Sequence, residues 1–460
     1  MSGASRVGLL GMDAAWLGRR EYGVASDDPG SQEGTARPRR RVLLAFVLTV
    51  AGMLAVLLEG SARLWSFLRE CRDRAGVTAT TGPRLTPAQV EAAGRALDLD
   101  VYEMADALRP GRWRLRPGYR GTLRDVLEAK RAAGRVLAVR HMEEAATTLG
   151  IGPDEVAIEV NAEGFRGPAL RPDHTEVRIL ALGDSCTFGT PVAERYTYAR
   201  AMERGLRTRG HRVEVVNGGV EGYDPSDVLA RLDEFRALRP AITTLYIGWN
   251  ALYRERYLDD ARGLARHLYS VRLFRHVRTL LENRLADPRQ AALAAYERPK
   301  RPDKAAPEIA LLDDYQPSFV PQLVRIVEAM QAAGSRVVIF TLPGLYTMDR
   351  DPSPRALEIG HLPTSTDNPF VLARMAGRYN ETLRAIARDR GPDLVDLAAW
   401  AQETLQPADE HFIDTVHLDE RSQEQAGLYL AGVLAPLLPA SKQDAAAAQP
   451  QGAATAGRAP

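Results

Sequence analysis

Residues 177–189 read Val-Arg-Ile-Leu-Ala-Leu-Gly-Asp-Ser-Cys-Thr-Phe-Gly: an apolar run, Val177–Leu182, that stops on a Gly-Asp-Ser turn. A short apolar run bounded by glycine predicts a buried strand. Gly183 permits a change of direction that a residue with a Cβ would resist. Ser185 then stands at the carboxyl end of the strand, where it can act as a nucleophile if a base takes its proton. The same turn also suits a helix N-cap, a position that favours Asp and Ser.

Downstream, short apolar runs alternate with helical patterns. Strands are predicted at Val213–Val216, Ile242–Ile247, within Ser335–Leu342 and at Leu394–Leu397. Helices are predicted at Tyr198–Arg209, near Asp227–Leu238, over 319–333, and at Leu372–Arg390 and Arg421–Leu438. This alternation implies a parallel sheet covered on both faces. The expected class is α/β, a flavodoxin-like three-layer α/β/α sandwich with a mainly parallel five-stranded sheet. Ligands in such sheets bind outside the carboxyl ends of the strands.

Three further turns carry polar residues. Val215-Val216-Asn217-Gly218-Gly219-Val220-Glu221-Gly222-Tyr223 follows the second strand, and Tyr246-Ile247-Gly248-Trp249-Asn250 the third. A glycine loop and an asparagine amide at these ends can offer N–H donors to one oxyanion. Both can equally be βα turns that use Gly and Asn for their backbone tolerance. Far downstream, Ile413-Asp414-Thr415-Val416-His417 places a carboxylate three residues before an imidazole. Asp414 can hold the tautomer of His417 while the other ring nitrogen faces a serine. The bland alternative is an exposed turn whose Asp caps the last helix. Each signal is weak alone; their joint order matches the needs of one acyl-transfer site.

At this point the chain resembles the SGNH (GDSL-type) hydrolase family, over about residues 155 to 438. Gly183-Asp184-Ser185 matches its first block, Gly222 its second-block glycine, Gly248-Trp249-Asn250 its third block, and Asp414 with His417 its last. Asn161-Ala162-Glu163-Gly164-Phe165-Arg166-Gly167 looks like a lead-in seen in membrane-anchored members. Ala251 departs from the family, which often has Asp there. The resemblance implies a serine esterase with catalytic Ser185, Asp414 and His417, an oxyanion hole of Ser185, Gly222 and Asn250, and neither metal nor organic cofactor. Three readings stay open: an esterase acting on acyl groups such as O-acetyl esters, an O-acyltransferase modifying a cell-surface glycan, and a non-catalytic module that binds glycan or a protein partner. Trp249, Tyr223 and the loop 346–369, with His361, are candidate pocket residues, with packing the alternative for each.

The 460 residues are 45% hydrophobic and 26% charged, which permits a large core, and the net charge of +1 sets up no field toward nucleic acid. Cys71 and Cys186 are too few for a disulfide framework or a zinc site, though one bridge between them is conceivable in principle. Val42–Leu58 holds 17 residues without a charge, just after Arg37, Arg39, Arg40 and Arg41. This reads as a transmembrane anchor with its arginines in the cytoplasm and the rest of the chain outside. A cleaved signal peptide and a buried core helix are the alternatives. The expected organisation is a disordered leader over 1–36, the anchor at 42–58, a stalk and accessory region at 59–154, the hydrolase domain at 155–438 and a disordered tail over 439–460. The expected partners are an acyl-ester substrate, with an acylated glycan or lipid as candidates, and the membrane. Within 262–284, Leu264, Leu268, Val271 and Phe274 recur at helical spacing among Arg and His. The favoured reading is a solvated helix with a buried apolar stripe, and the other is a membrane-surface helix. The loop 297–304 is expected to be exposed.

Overall fold

In the computed structural model, strands β5 (Val177–Gly183), β6 (Val213–Gly219), β7 (Ile242–Tyr246), β8 (Arg336–Phe340) and β9 (Asp393–Val395) form one sheet. They are preceded by β1 (Tyr102–Met104), β2 (Trp113–Leu115), β3 (Arg120–Thr122) and β4 (Val156–Glu159). The structure describes residues 36–74, 101–104, 113–132, 136–171, 176–261, 267–285 and 298–439. The leader before Ala36, the helical pattern at 87–93, Leu264 and the tail from 440 lie outside them.

The sheet runs β6-β5-β7-β8-β9, with every neighbouring pair parallel. The chain leaves β5, adds β6 on one side, then crosses to add β7 on the other. That reversal opens a crevice at the carboxyl ends of β5 and β7, the usual ligand site of a doubly wound sheet. The register brings the strand ends level: Gly183 stands opposite Gly219 on one side and Tyr246 on the other. Ile179, Leu180 and Leu182 are fully buried, as a strand covered on both faces requires. Each such side chain contributes about 1.5–3 kcal/mol of apolar burial.

The predicted strands and helices are present, with shifted ends. The helix expected near Asp227–Leu238 is two helices, Pro225–Ala230 and Leu232–Ala237, joined at Arg231. Arg231 is buried, pairing with Glu234 at 2.7 Å and donating to the Tyr223 hydroxyl at 3.3 Å. The last helix, Glu420–Leu434, stops before Pro436, which has no N–H to continue it.

The apolar helix is longer than the predicted anchor. It runs Ala36–Arg74 without a break and is apolar enough to cross a membrane over Leu43–Leu68. The boundary between two compact units falls between Leu58 and Glu59, so the accessory region belongs to the same unit as the sheet. In that region β1 pairs with β2 and β3 with β4, both antiparallel. The loop is exposed as expected at Pro299 and over 301–304, while Arg298 is half-buried and donates to the carbonyls of Leu362, Pro363 and Thr366.

Candidate active site

Ser185 opens a four-residue helix, Ser185–Phe188, directly after β5. Asp184 caps it, its carboxylate accepting the Cys186 N–H at 3.0 Å. Gly183 makes the turn possible: a Cβ there would lie 2.0 Å from Thr187 Oγ1 and 2.3 Å from the Tyr246 carbonyl oxygen. Any larger residue would push this helix off the strand end.

The loop at 413–417 comes from 230 residues downstream, and the Leu345 N–H donates to its Thr415 carbonyl at 2.9 Å. Asp414 Oδ1 accepts the backbone N–H groups of Val416 and His417, both at 2.9 Å. Its Oδ2 lies 2.7 Å from His417 Nδ1, and His417 Nε2 lies 2.7 Å from Ser185 Oγ. A carboxylate can only accept, so Nδ1 carries the proton and Nε2 is left to accept from the serine hydroxyl. Burial alone disfavours charge on both groups. For Asp414 the His417 ring and the surrounding donors outweigh burial and hold its carboxyl well below the usual range. For His417 burial pulls down, but the Asp414 carboxylate outweighs it and raises the imidazole above its ordinary value. The arrangement can take a proton from a serine and stabilise the resulting imidazolium.

Asn250 sits in the first turn of helix Trp249–Arg254, after β7, and its Nδ2 donates to the Tyr223 carbonyl at 3.0 Å. An amide nitrogen has two hydrogens, so one donor remains. Gly222 has φ 78°, a left-handed backbone that favours glycine, and a Cβ would lie 2.9 Å from the Trp113 ring. Ser185, Gly222 and Asn250 thus follow three adjacent strand ends on one sheet edge. Trp249 and Tyr223 are both buried beside these turns. His361 reaches the loop between Asp414 and His417, its backbone N–H donating to Thr415 Oγ1 at 2.6 Å. Cys186 is free and buried, and burial pushes its thiol up, which leaves it a poor nucleophile. A groove of about 920 Å³ runs beside the Asn250 helix, with Asp224, Ala251, Arg254, Tyr257 and Gln322 in its walls.

Sequence reasoning missed the groups that hold these turns. Arg166 is fully buried; its guanidinium pairs with Glu194 at 2.9 Å and donates to the carbonyls of Phe188 at 2.6 Å and Gly189 at 3.1 Å. Its backbone N–H donates to the Asn217 carbonyl, and the Asn217 amide donates to the Thr187 carbonyl at 2.9 Å. Together they occupy the open carbonyls at the end of the Ser185 helix, groups that otherwise lack partners. The Asn161–Gly167 stretch was the signal, but nothing in it names its target. On the other flank, Trp113 Nε1 donates to the Glu221 carbonyl at 3.0 Å and the Tyr102 hydroxyl to the Glu221 carboxylate at 2.7 Å. The accessory strands therefore buttress the Gly222 loop.

Residues 181–424 match the model of the GDSL-like lipase/acylhydrolase family. Among solved structures, the chain is similar to a member of the lipolytic protein G-D-S-L family from Veillonella parvula DSM 2008 (15% identity, 57% of this chain and 99% of that one, TM-score 0.33). It is also similar to an α/β hydrolase enzyme, LAE5, from the metagenome of Lake Arreo (17%, 56% and 96%, TM-score 0.35). A third is a catalytic mutant of the acetylxylan esterase Axe2 from Geobacillus stearothermophilus (17%, 55% and 94%, TM-score 0.34). No curated protein matches the chain.

Proposed function

The chain belongs to the GDSL-like lipase/acylhydrolase family and is an ester-hydrolysing enzyme, and from that premise we propose that Ser185, His417 and Asp414 carry the reaction as nucleophile, general base and orienting carboxylate. The observation that supports this is the unbroken pair of 2.7 Å contacts from Ser185 Oγ through His417 to Asp414. His417 takes the hydroxyl proton as Ser185 Oγ attacks the ester carbonyl. The oxyanion is met by the backbone N–H groups of Ser185 and Gly222 and by the free hydrogen of the Asn250 amide. His417 then gives its proton to the leaving alcohol. Water, deprotonated by the same imidazole, cleaves the acyl-serine.

The substrate in this reading is an acyl ester on a cell-surface glycan or lipid, handled outside the cytoplasm. The arginines before Val42 and the apolar helix support that side for Glu59 onward. Hydrolysis of p-nitrophenyl acetate and octanoate by the full chain, beside Ser185→Ala, tests the chemistry. Turnover should fall by about 10⁴-fold or more in the variant, and equal turnover in a folded Ser185→Ala protein would defeat the assignment. Protease added outside intact cells should cut the folded unit; full protection would reverse the orientation.

A further inference from the structure

Of the apolar stripe expected to be buried, Val271 in helix Tyr269–Leu285 is half-buried, while Leu268 and Phe274 face solvent. Phe274 is 68% exposed, Val277 45%, and Leu268, just before the helix, 37%. Apart from the helix Ala36–Arg74, Leu428 is the only other exposed large hydrophobic among the described residues. Phe274 and Val277 lie three apart and share a helix face, and Arg278, also exposed, flanks them one turn from Phe274.

The start of this helix is tied down at one point. The Glu59 carboxylate accepts the backbone N–H groups of Tyr269 and Ser270, both at 2.9 Å, and the Ser270 hydroxyl at 2.8 Å. Arg63 pairs with Glu59 at 3.0 Å and lies over the Tyr269 ring at 4.8 Å. Glu59 is the first residue after the uncharged run that ends at Leu58. A spanning helix needs about 20 residues to cross the hydrocarbon. Counted from Leu43, such a span ends near Ala62, among the groups that hold Tyr269 and Ser270. Trp65, 38% exposed, lies three residues beyond Ala62, as suits a residue at the membrane–water boundary.

We propose that helix Tyr269–Leu285 lies on the membrane surface, with Phe274, Val277 and Leu268 entering the headgroup boundary of the phospholipid. Apolar residues on one side and a cation beside them are the composition of an interfacial helix. Glu59 holds the start of this helix and directly follows the uncharged run in the chain, which makes the membrane the occupant of its apolar face. The inference goes beyond the catalytic assignment and rests on the reading of Leu43–Leu68 as a span.

The test uses the full chain carrying Cys71→Ser, in vesicles of phosphatidylcholine and phosphatidylglycerol. Single cysteines are introduced by Phe274→Cys, Leu428→Cys and Ala51→Cys, and each is labelled with an environment-sensitive fluorophore; the native Cys186 is buried. Lipids spin-labelled near the headgroup should quench the position-274 probe several-fold more than the position-428 probe. Lipids labelled deep in the acyl chain should quench the position-51 probe most. Quenching at 274 no greater than at 428, with 51 quenched, overturns the surface helix and leaves the anchor standing. A probe at 274 that is shielded from water yet unquenched means that protein covers the face, which also overturns it. Absence of quenching at 51 removes the anchor and this inference with it, without touching the catalytic assignment.

Discussion

The Ser185 turn and the Tyr269–Leu285 helix are held by opposite means. Around Ser185 the polar groups face inward: Asp184, Asn217, Arg166 and Asp414 are all buried, and each accepts or donates hydrogen bonds within the protein. Around Tyr269 one carboxylate grips the helix start while Phe274 and Val277 face out. A site that must keep a hydroxyl 2.7 Å from an imidazole cannot rest on exposed contacts. Buried hydrogen bonds are directional and, once made, expensive to break, so they set position. Exposed apolar groups set nothing until a partner covers them.

The contrast predicts steep effects at the first region and shallow ones at the second. Replacing His417 by Ala should lower kcat by about 10⁴-fold or more in a protein that still folds, with some loss of melting temperature because Asp414 loses its partner, which paired kinetic and thermal measurements will read. Asp414→Asn should cost activity by about the same order and also alter its pH dependence. The wild-type acid limb should lie above the ordinary histidine value of 6.5, because Asp414 raises His417, and activity is lost as falling pH protonates the base. Removing the carboxylate should move that limb to lower pH; a limb that stays put would detach Asp414 from His417. The depressed Asp414 carboxyl also stabilises the fold, and that contribution is lost on the same acid side, at lower pH. Its contribution is present above the ordinary carboxylate range and disappears as pH falls through the lower folded value.

Arg166→Met should destabilise the fold by about 3–5 kcal/mol, since it leaves Glu194 and two helix-end carbonyls without their partner. Asn217→Ala should be milder in stability, yet lower kcat more than it raises KM, because it loosens the Ser185 helix without touching substrate. A rise in KM alone would make Asn217 a binding residue. At the far end of the scale, Phe274→Ser should change stability by less than about 0.5 kcal/mol in denaturant titrations of detergent-solubilised protein.

Much of this was legible in the chain, for reasons visible in particular residues. β5 and its turn could be read because Val177–Leu182 is apolar and Gly183-Asp184-Ser185 is a local signal. Asp414 and His417 could be paired because they are three residues apart. Arg166 could not be placed, since its partners Phe188 and Glu194 lie more than 20 residues on and its carbonyl acceptors carry no side-chain identity. Nor could the break at Arg231, which depends on a pairing between Arg231 and the Tyr223 hydroxyl that no periodicity records. The Tyr269 helix was misread in its burial because spacing tells which residues share a face, and only the packed molecule tells what that face meets.

From residue order alone follow the alternation of strands and helices, the apolar run after the arginines and the types of residue at the four strand-end turns, because these depend on neighbours along the chain. Folding decided that β5 sits between β6 and β7, that a loop brings His417 to Ser185 across 232 residues, and that Trp113 backs Gly222. Those facts depend on distance in space, which long-range packing sets and local propensity does not encode.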